Sequence, residues 1–517
     1  FDINWEEPTQ LSTSERTIEL PYFSSENYNF SFSDGITFSA QWNVGTQIDE
    51  RSAKIESIES VEISNADLKQ LPLSTIPNSP QLKVANATYR NTANGAVEIH
   101  PIFYDNGVLR KIIRFSISYR SGVFNRVASN TSALSSSKLK TGQWYRFAVD
   151  TTGVHILNKN FLNSLGINMD DVNPKNIKIY GHGGASLPLL NSNTVSNDMI
   201  ENAIQVVGEN DGVFNDNDYI LMYAIGPKKY NPENNSHINP YSDDSYYYVN
   251  ISSGNGRRMT AAAEPLGNAD VTFDTFHNYK FIESDTYNIS NMGRRWLGHR
   301  FYVENVRQFS FNFPDLITSI PVRLKVYTAA VAESSTSMQL KVNGSDVTTF
   351  SYSAIDGSLL ASSRTHNELF TTASNTINVN LSYDNNGNPS AAAYLDYISI
   401  EAECALKSPG AQFEFKNNTT ATQAGIGQFV ISNAASISQV WDISNPYQIK
   451  FYRNEDSDSQ FSFKTSLGRL KTFQAVGPNF YLPRKTNSTI IPNQDIKGTV
   501  FLDAQGQFKD IDYLIIT

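Results

Sequence analysis

Apolar residues recur at every second position through most of the chain, the period of strands that bury one face and wet the other. Val322, Leu324 and Val326 alternate in VRLKVYTAA, as do Met338, Leu340 and Val342 in MQLKVNG. Near the other end, Phe115, Ile117 and Tyr119 alternate with Ser116 and Ser118. Glycine, asparagine or aspartate follows most of these runs, so the pattern reads as strand, turn, strand. Helical spacing is rare; residues 159–165, closed by Gly166, are one of the few short candidates.

The runs group into segments. Residues 1–127 are expected to form a β-rich domain, and 128–141, with its small polar run ASNTSALSSSKLK, a linker too poor in apolar area to order itself. Residues 142–242 predict a β-rich module with short helices. Its opening GQWYRFAVDTTGVHILN predicts a hairpin turning at 150–153, strands follow at IKIYG and DYILMYAIG, and 227–240 is a polar connector. Residues 243–409 predict a β-sandwich, and 410–492 a smaller β-rich domain containing FEFKN and VWDISNP. The last stretch, 493–517, ends in DYLIIT, apolar on both faces like a central parallel strand. The expected fold class is therefore mainly β, with several β-rich domains including a sandwich, ending at the first strand of an absent α/β domain.

Composition narrows the class. A chain of 517 residues exceeds one hydrophobic core several-fold. With 41 basic against 51 acidic residues, net charge −10, nucleic acid is a disfavoured partner. The 26 Tyr and 30 Phe beside only 18% charged residues favour an extracellular β protein. One cysteine permits no intrachain disulfide. The chain opens at Phe1 without a charged-then-apolar leader, which reads as a signal peptide already removed, and no apolar run is long enough for a membrane helix.

Candidate chemistry is sparse. Cys404 ends the strand YLDYISIEAEC on the face of Ile398, Ile400 and Ala402, where burial makes a thiol an inert packing group. No nucleophile signature surrounds it, so no catalytic residue is assigned. The seven histidines are scattered, without the close pair that zinc sites use. YGHGGASLP lacks the spacing of a phosphate-binding loop and reads as a strand entering a tight turn. The best metal candidate is GENDGVFNDNDY, in which Asp211, Asn215 and Asp218 offer oxygen ligands around Gly212, as calcium loops do. The position for the first carboxylate falls on Val207, so a hydrogen-bonded Asx turn is the other reading. Calcium is the cofactor in question. Tyr246, Tyr247 and Tyr248 suggest either an aromatic contact patch or alternate burial along a strand.

Several signatures, in order along the chain, resemble the PorU family of type IX secretion sortases of Bacteroidota, relatives of the gingipain cysteine peptidases. They are GQWYRFAVDTTGVHIL, IYGHGGASLP, GENDGVFNDNDYILMYAIGP, GRRWLGHRF, VWDISNP and the terminal NQDIKG with DYLIIT. The resemblance covers about residues 142–517. It implies a cell-surface peptidase that removes C-terminal targeting domains from secreted cargo and can attach cargo to anionic lipopolysaccharide. In the family, the catalytic Cys and His lie in a caspase-like domain that begins at the strand matching 512–517. Neither matches a residue here, and Cys404 does not correspond to the nucleophile. The implied role is the non-catalytic N-terminal region, on the extracellular face of the outer membrane, positioning the peptidase. The partners implied are a PorV-like outer-membrane barrel, the attachment-complex proteins PorQ and PorZ, and cargo. Two further readings stand beside it: an extracellular adhesin or carbohydrate-binding β-sandwich protein, and another gingipain-like secreted protease.

Overall fold

The computed structural model describes residues 1–12, 17–31, 35–44, 47–89, 92–105, 107–122, 136–188, 196, 198–289, 295–355, 360–496 and 505. Most of the expected linker and the whole DYLIIT run lie outside them. The chain divides into two units, Phe1–Ser132 and Ala133–Thr517. Both are built of open antiparallel sheets, with short parallel additions in the second, so the mainly β expectation holds. No described helix is long and apolar enough to cross a membrane.

In the first unit, a four-stranded sheet of Tyr28–Ser31, Gly35–Asn43, Thr92–Ile99 and Leu82–Tyr89 and a three-stranded sheet around Val108–Ser118 enclose one core. Leu20, Phe23, Ile99, Ile112 and Phe115 are its buried centre.

The second unit contains the expected sandwich. One sheet runs Thr275–Glu283, Ala392–Ala405, Val322–Val331, Ser362–Phe370, with Gly298–Phe301 also pairing on Ala392–Ala405. The facing sheet runs Val306–Asn312, Thr376–Asp384, Thr336–Val342, Ser345–Tyr352. The alternation in the sequence gives the core directly: Val322, Leu324, Val326, Met338 and Leu340 are buried. Burying each such side chain contributes about 1.5–3 kcal/mol.

The expected hairpin at 144–157 does not form. Trp144–Val149 pairs with Ser245–Ile251 along one edge and Arg484–Ile491 along the other. Gly153–Asn158 joins a different sheet, against Tyr219–Ala224. The cause is burial on both faces: Trp144, Tyr145, Phe147, Ala148 and Val149 are all buried, so the strand takes a central place and has no free edge for its successor. The helix is where its spacing placed it, Lys159–Ser164, with the Asn158 side chain accepting from the Phe161 amide and Gly166 in the left-handed region at φ +101°.

Sheets also cross the expected segment boundaries. Thr260–Ala261 and Val271–Phe273 add in parallel to Lys450–Arg453 and Ile426–Ser432, next to a phenylalanine core of Phe415, Phe429, Phe463 and Phe473. Short flanking runs join neighbouring sheets because an unpaired strand edge accepts any nearby extended segment.

Candidate functional site

The densest polar chemistry of the second unit lies where the connector 227–240 crosses the outer face of the sandwich. His237 is fully buried there, its ring stacked on Phe281 with centroids 4.1 Å apart and planes at 10°. Its Nδ1 lies 2.6 Å from Glu283 Oε2, and its backbone amide donates to the same oxygen at 2.8 Å. Ser236 Oγ donates to Glu283 Oε1 at 2.5 Å. A carboxylate only accepts, so in the neutral ring the proton sits on Nδ1, and Nε2 accepts from Tyr279 Oη at 2.5 Å. Nearby, Asn235 Oδ1 accepts from both Lys325 Nζ at 2.6 Å and Tyr397 Oη at 2.7 Å. A polar connector is thereby fixed to a buried sheet through the paired side chains of Asn235, Ser236 and His237.

Beside this network lie three carboxylates. Asp396 sits inside the otherwise apolar run Leu395, Tyr397, Ile398 and is fully buried. In regular alternation it would face away from Tyr397. The register slips between Tyr327–Tyr397 and Thr328–Leu395, leaving Asp396 as the extra residue of a β-bulge. Bulges re-aim side chains, and here Asp396 Oδ2 accepts from Arg295 Nη1 at 2.5 Å. Arg295 also donates to the backbone carbonyls of Asn234 and Asn235, at 2.8 and 3.3 Å, and lies over the Tyr327 ring at 4.9 Å. Glu283 ends the neighbouring strand opposite Tyr397, and Asp285 follows two residues later. Burial pushes the Asp396 carboxyl up to about 8, against the pull of Arg295 and helped by the negative charges of Glu283 and Asp285. Burial likewise lifts Asp285 to about 6, with Glu283 adding and Arg295 opposing.

The sequence-predicted groups lie elsewhere. Asp211 and Asp218 flank a loop between the short strand Gln205–Val207 and Tyr219–Ala224. Asp218 Oδ2 accepts from the Asn215 amide at 2.7 Å, while the Asp211 carboxylate accepts from the Val213 amide at 3.1 Å and Asn215 Nδ2 at 3.0 Å. Gly208 has φ +95°, and a Cβ there would fall 1.8 Å from Asp218 Oδ1, so only glycine lets the carboxylate fold back into the turn. All three residues do come together, and one of the three bonds, from the Val213 amide to Asp211, is that of an Asx turn.

Cys404 is fully buried, and burial pushes its thiol up to about 11. A thiol held protonated and out of solvent is no nucleophile. Tyr247 is buried while Tyr246 is exposed under the Arg146 guanidinium, so the tyrosine triplet faces two ways and makes no single patch. Residue-type reasoning passed over Glu283, Asp285, Arg295 and Asp396. One signal was available, an aspartate in the middle of an apolar strand, because a buried charge requires a partner.

No protein-family model and no curated protein matches this chain. Among solved structures, dimeric latent PorU from Porphyromonas gingivalis is similar to 71% of it, with TM-score 0.58 and 21% identity. The match is 35% of that protein's chain, so this chain spans about a third of its length. At that identity the likeness is one of fold. The CBM36-1 domain of a multidomain xylanase from the hindgut metagenome of Trinervitermes trinervoides aligns 96% of its length with 24% of this chain at 16% identity, but its TM-score of 0.17 carries no weight.

Proposed function

We propose that this chain is the non-catalytic N-terminal region of a type IX secretion sortase at the cell surface. The observation that carries the reading is the PorU fold likeness over 71% of the chain. The ordered motifs support it, and two of them have structural work: Arg295 of GRRWLGHRF ties the connector to Asp396, and Asp442 of VWDISNP accepts from Lys471 Nζ at 2.8 Å.

In this reading the parent removes C-terminal targeting domains from cargo by thiolate attack at the junction. The resulting thioester is resolved by water as cleavage, or by an amine of anionic lipopolysaccharide as attachment. The thiolate and histidine belong to the parent's caspase-like domain. The β-rich region positions that domain on the extracellular face of the outer membrane and contacts a PorV-like barrel, PorQ, PorZ and cargo.

The test is to replace the parent's gene by one lacking this region and to follow cargo by mass spectrometry. Cargo retaining its targeting domain, while an intact copy restores cleavage, supports the reading. Normal cleavage without the region refutes it.

A further inference from the structure

We infer that Glu283, Asp285 and Asp396, with the side-chain oxygen of Asn234, form a calcium site where the connector meets the sandwich. Four observations on separate elements carry this.

The first is spacing. Glu283, Asp285 and Asp396 each offer one carboxylate oxygen, and these oxygens lie within 4.8 Å of one another. One ion can reach all three at the 2.3–2.6 Å that calcium requires after small side-chain adjustments.

The second is unmet acceptors. Asp396 Oδ1, Asp285 Oδ1 and Asn234 Oδ1 are out of water and accept no hydrogen bond. Asp396 as a whole is fully buried, so its second oxygen is a polar atom held where water does not reach it. A buried oxygen without a donor is destabilising unless a cation satisfies it. Asn234 belongs to the same locus, since its backbone carbonyl is held by the guanidinium that holds Asp396.

The third is charge. Arg295 is the guanidinium bound to the cluster, and two of its other donors go to the carbonyls of Asn234 and Asn235. One cation against three carboxylates leaves room for a divalent ion. Glu283 keeps ligating capacity at Oε1, which has a lone pair beyond the one used by Ser236, whereas Oε2 is taken by the ring and the amide of His237.

The fourth is donor type. Every candidate ligand is oxygen, and His237 presents its Nδ1 side to Glu283 and its Nε2 to Tyr279. A hard ion tolerant of irregular geometry fits this set, and calcium does so better than zinc or magnesium. Bound there, it would pin the end of Thr275–Glu283, the bulge of Ala392–Ala405 and the connector together.

The experiment uses the whole chain, freed of metal with a chelator and titrated with calcium by thermal unfolding, and with terbium by tyrosine-sensitised luminescence. Calcium should raise the melting temperature, and Asp285→Asn should weaken terbium binding at least about tenfold. Asp211→Asn should leave both responses in place. Asp285 is only partly buried, so its variant stands in if Asp396→Asn does not fold. A metal-free chain that responds to neither ion overturns the inference, and so does an Asp285→Asn variant that responds as the parent chain does.

Discussion

Asp396 and Arg295, 101 residues apart in sequence, meet at 2.5 Å across a β-bulge, and the same guanidinium grips the carbonyls of Asn234 and Asn235. One side chain thus holds a buried acid and the connector at once. Arg295→Met should lower stability by about 1–3 kcal/mol, the cost of stranding buried acceptors. Urea unfolding at neutral pH reads this directly; an unchanged midpoint would mean that the connector is held by other contacts.

A second pair sets acid sensitivity. Lys471 and Asp442 are 5% and 15% exposed, with Nζ and Oδ2 2.8 Å apart. Burial raises the Asp442 carboxyl, but the bonds from Lys471 and Ser444 outweigh it and hold it below its usual 3.8. A depressed folded value means that the contribution is present above the unfolded pKa and is lost as pH falls through the folded one. Lys471→Met should destabilise by about 3–5 kcal/mol at pH 7, since it leaves a mostly buried carboxylate unpaired. The same variant should flatten the loss of stability below about pH 4. An acid limb equal to that of the unaltered chain would place the sensitivity elsewhere.

The strands of the sandwich were legible because one face is buried and the other wet, which imposes the period-2 pattern of Val322–Val331 and Thr336–Val342. Trp144–Val149 was misassigned because a strand buried on both faces carries no such pattern, and its neighbours Ser245–Ile251 and Arg484–Ile491 are far away in sequence. The Glu283, Asp285 and Asp396 cluster was legible only as one aspartate in an apolar strand. Glu283 and Asp285 lie at the end of one strand and Asp396 on its neighbour, and the bulge that turns Asp396 toward the connector is a matter of register, which composition does not encode.

The loop around Asp211 behaves as a turn in this account. Asp218→Ala should cost about 1–3 kcal/mol by orphaning the Asn215 amide, and Gly208→Ala should also destabilise because its Cβ collides with Asp218. A calcium-dependent rise in melting temperature that disappears in Asp211→Asn would instead make this loop the metal site.

Cys404 should be silent. At pH 8 iodoacetamide should leave the folded chain unmodified and label it fully in denaturant, because the thiol is buried and its pKa is raised to about 11. Cys404→Ala should lower stability by about 1 kcal/mol through a small cavity and leave cargo processing by the parent intact. Lost processing in a folded variant would relocate the chemistry to this region.

The central claim is that this region docks a sortase onto a PorV-like barrel. Its most direct measurement is the binding of the purified chain to the purified barrel in detergent, by biolayer interferometry, with anionic polysaccharide as the competing ligand. The account predicts saturable binding to the barrel that the polysaccharide does not displace. Saturable binding to the polysaccharide, with none to the barrel, would contradict it and favour an adhesin.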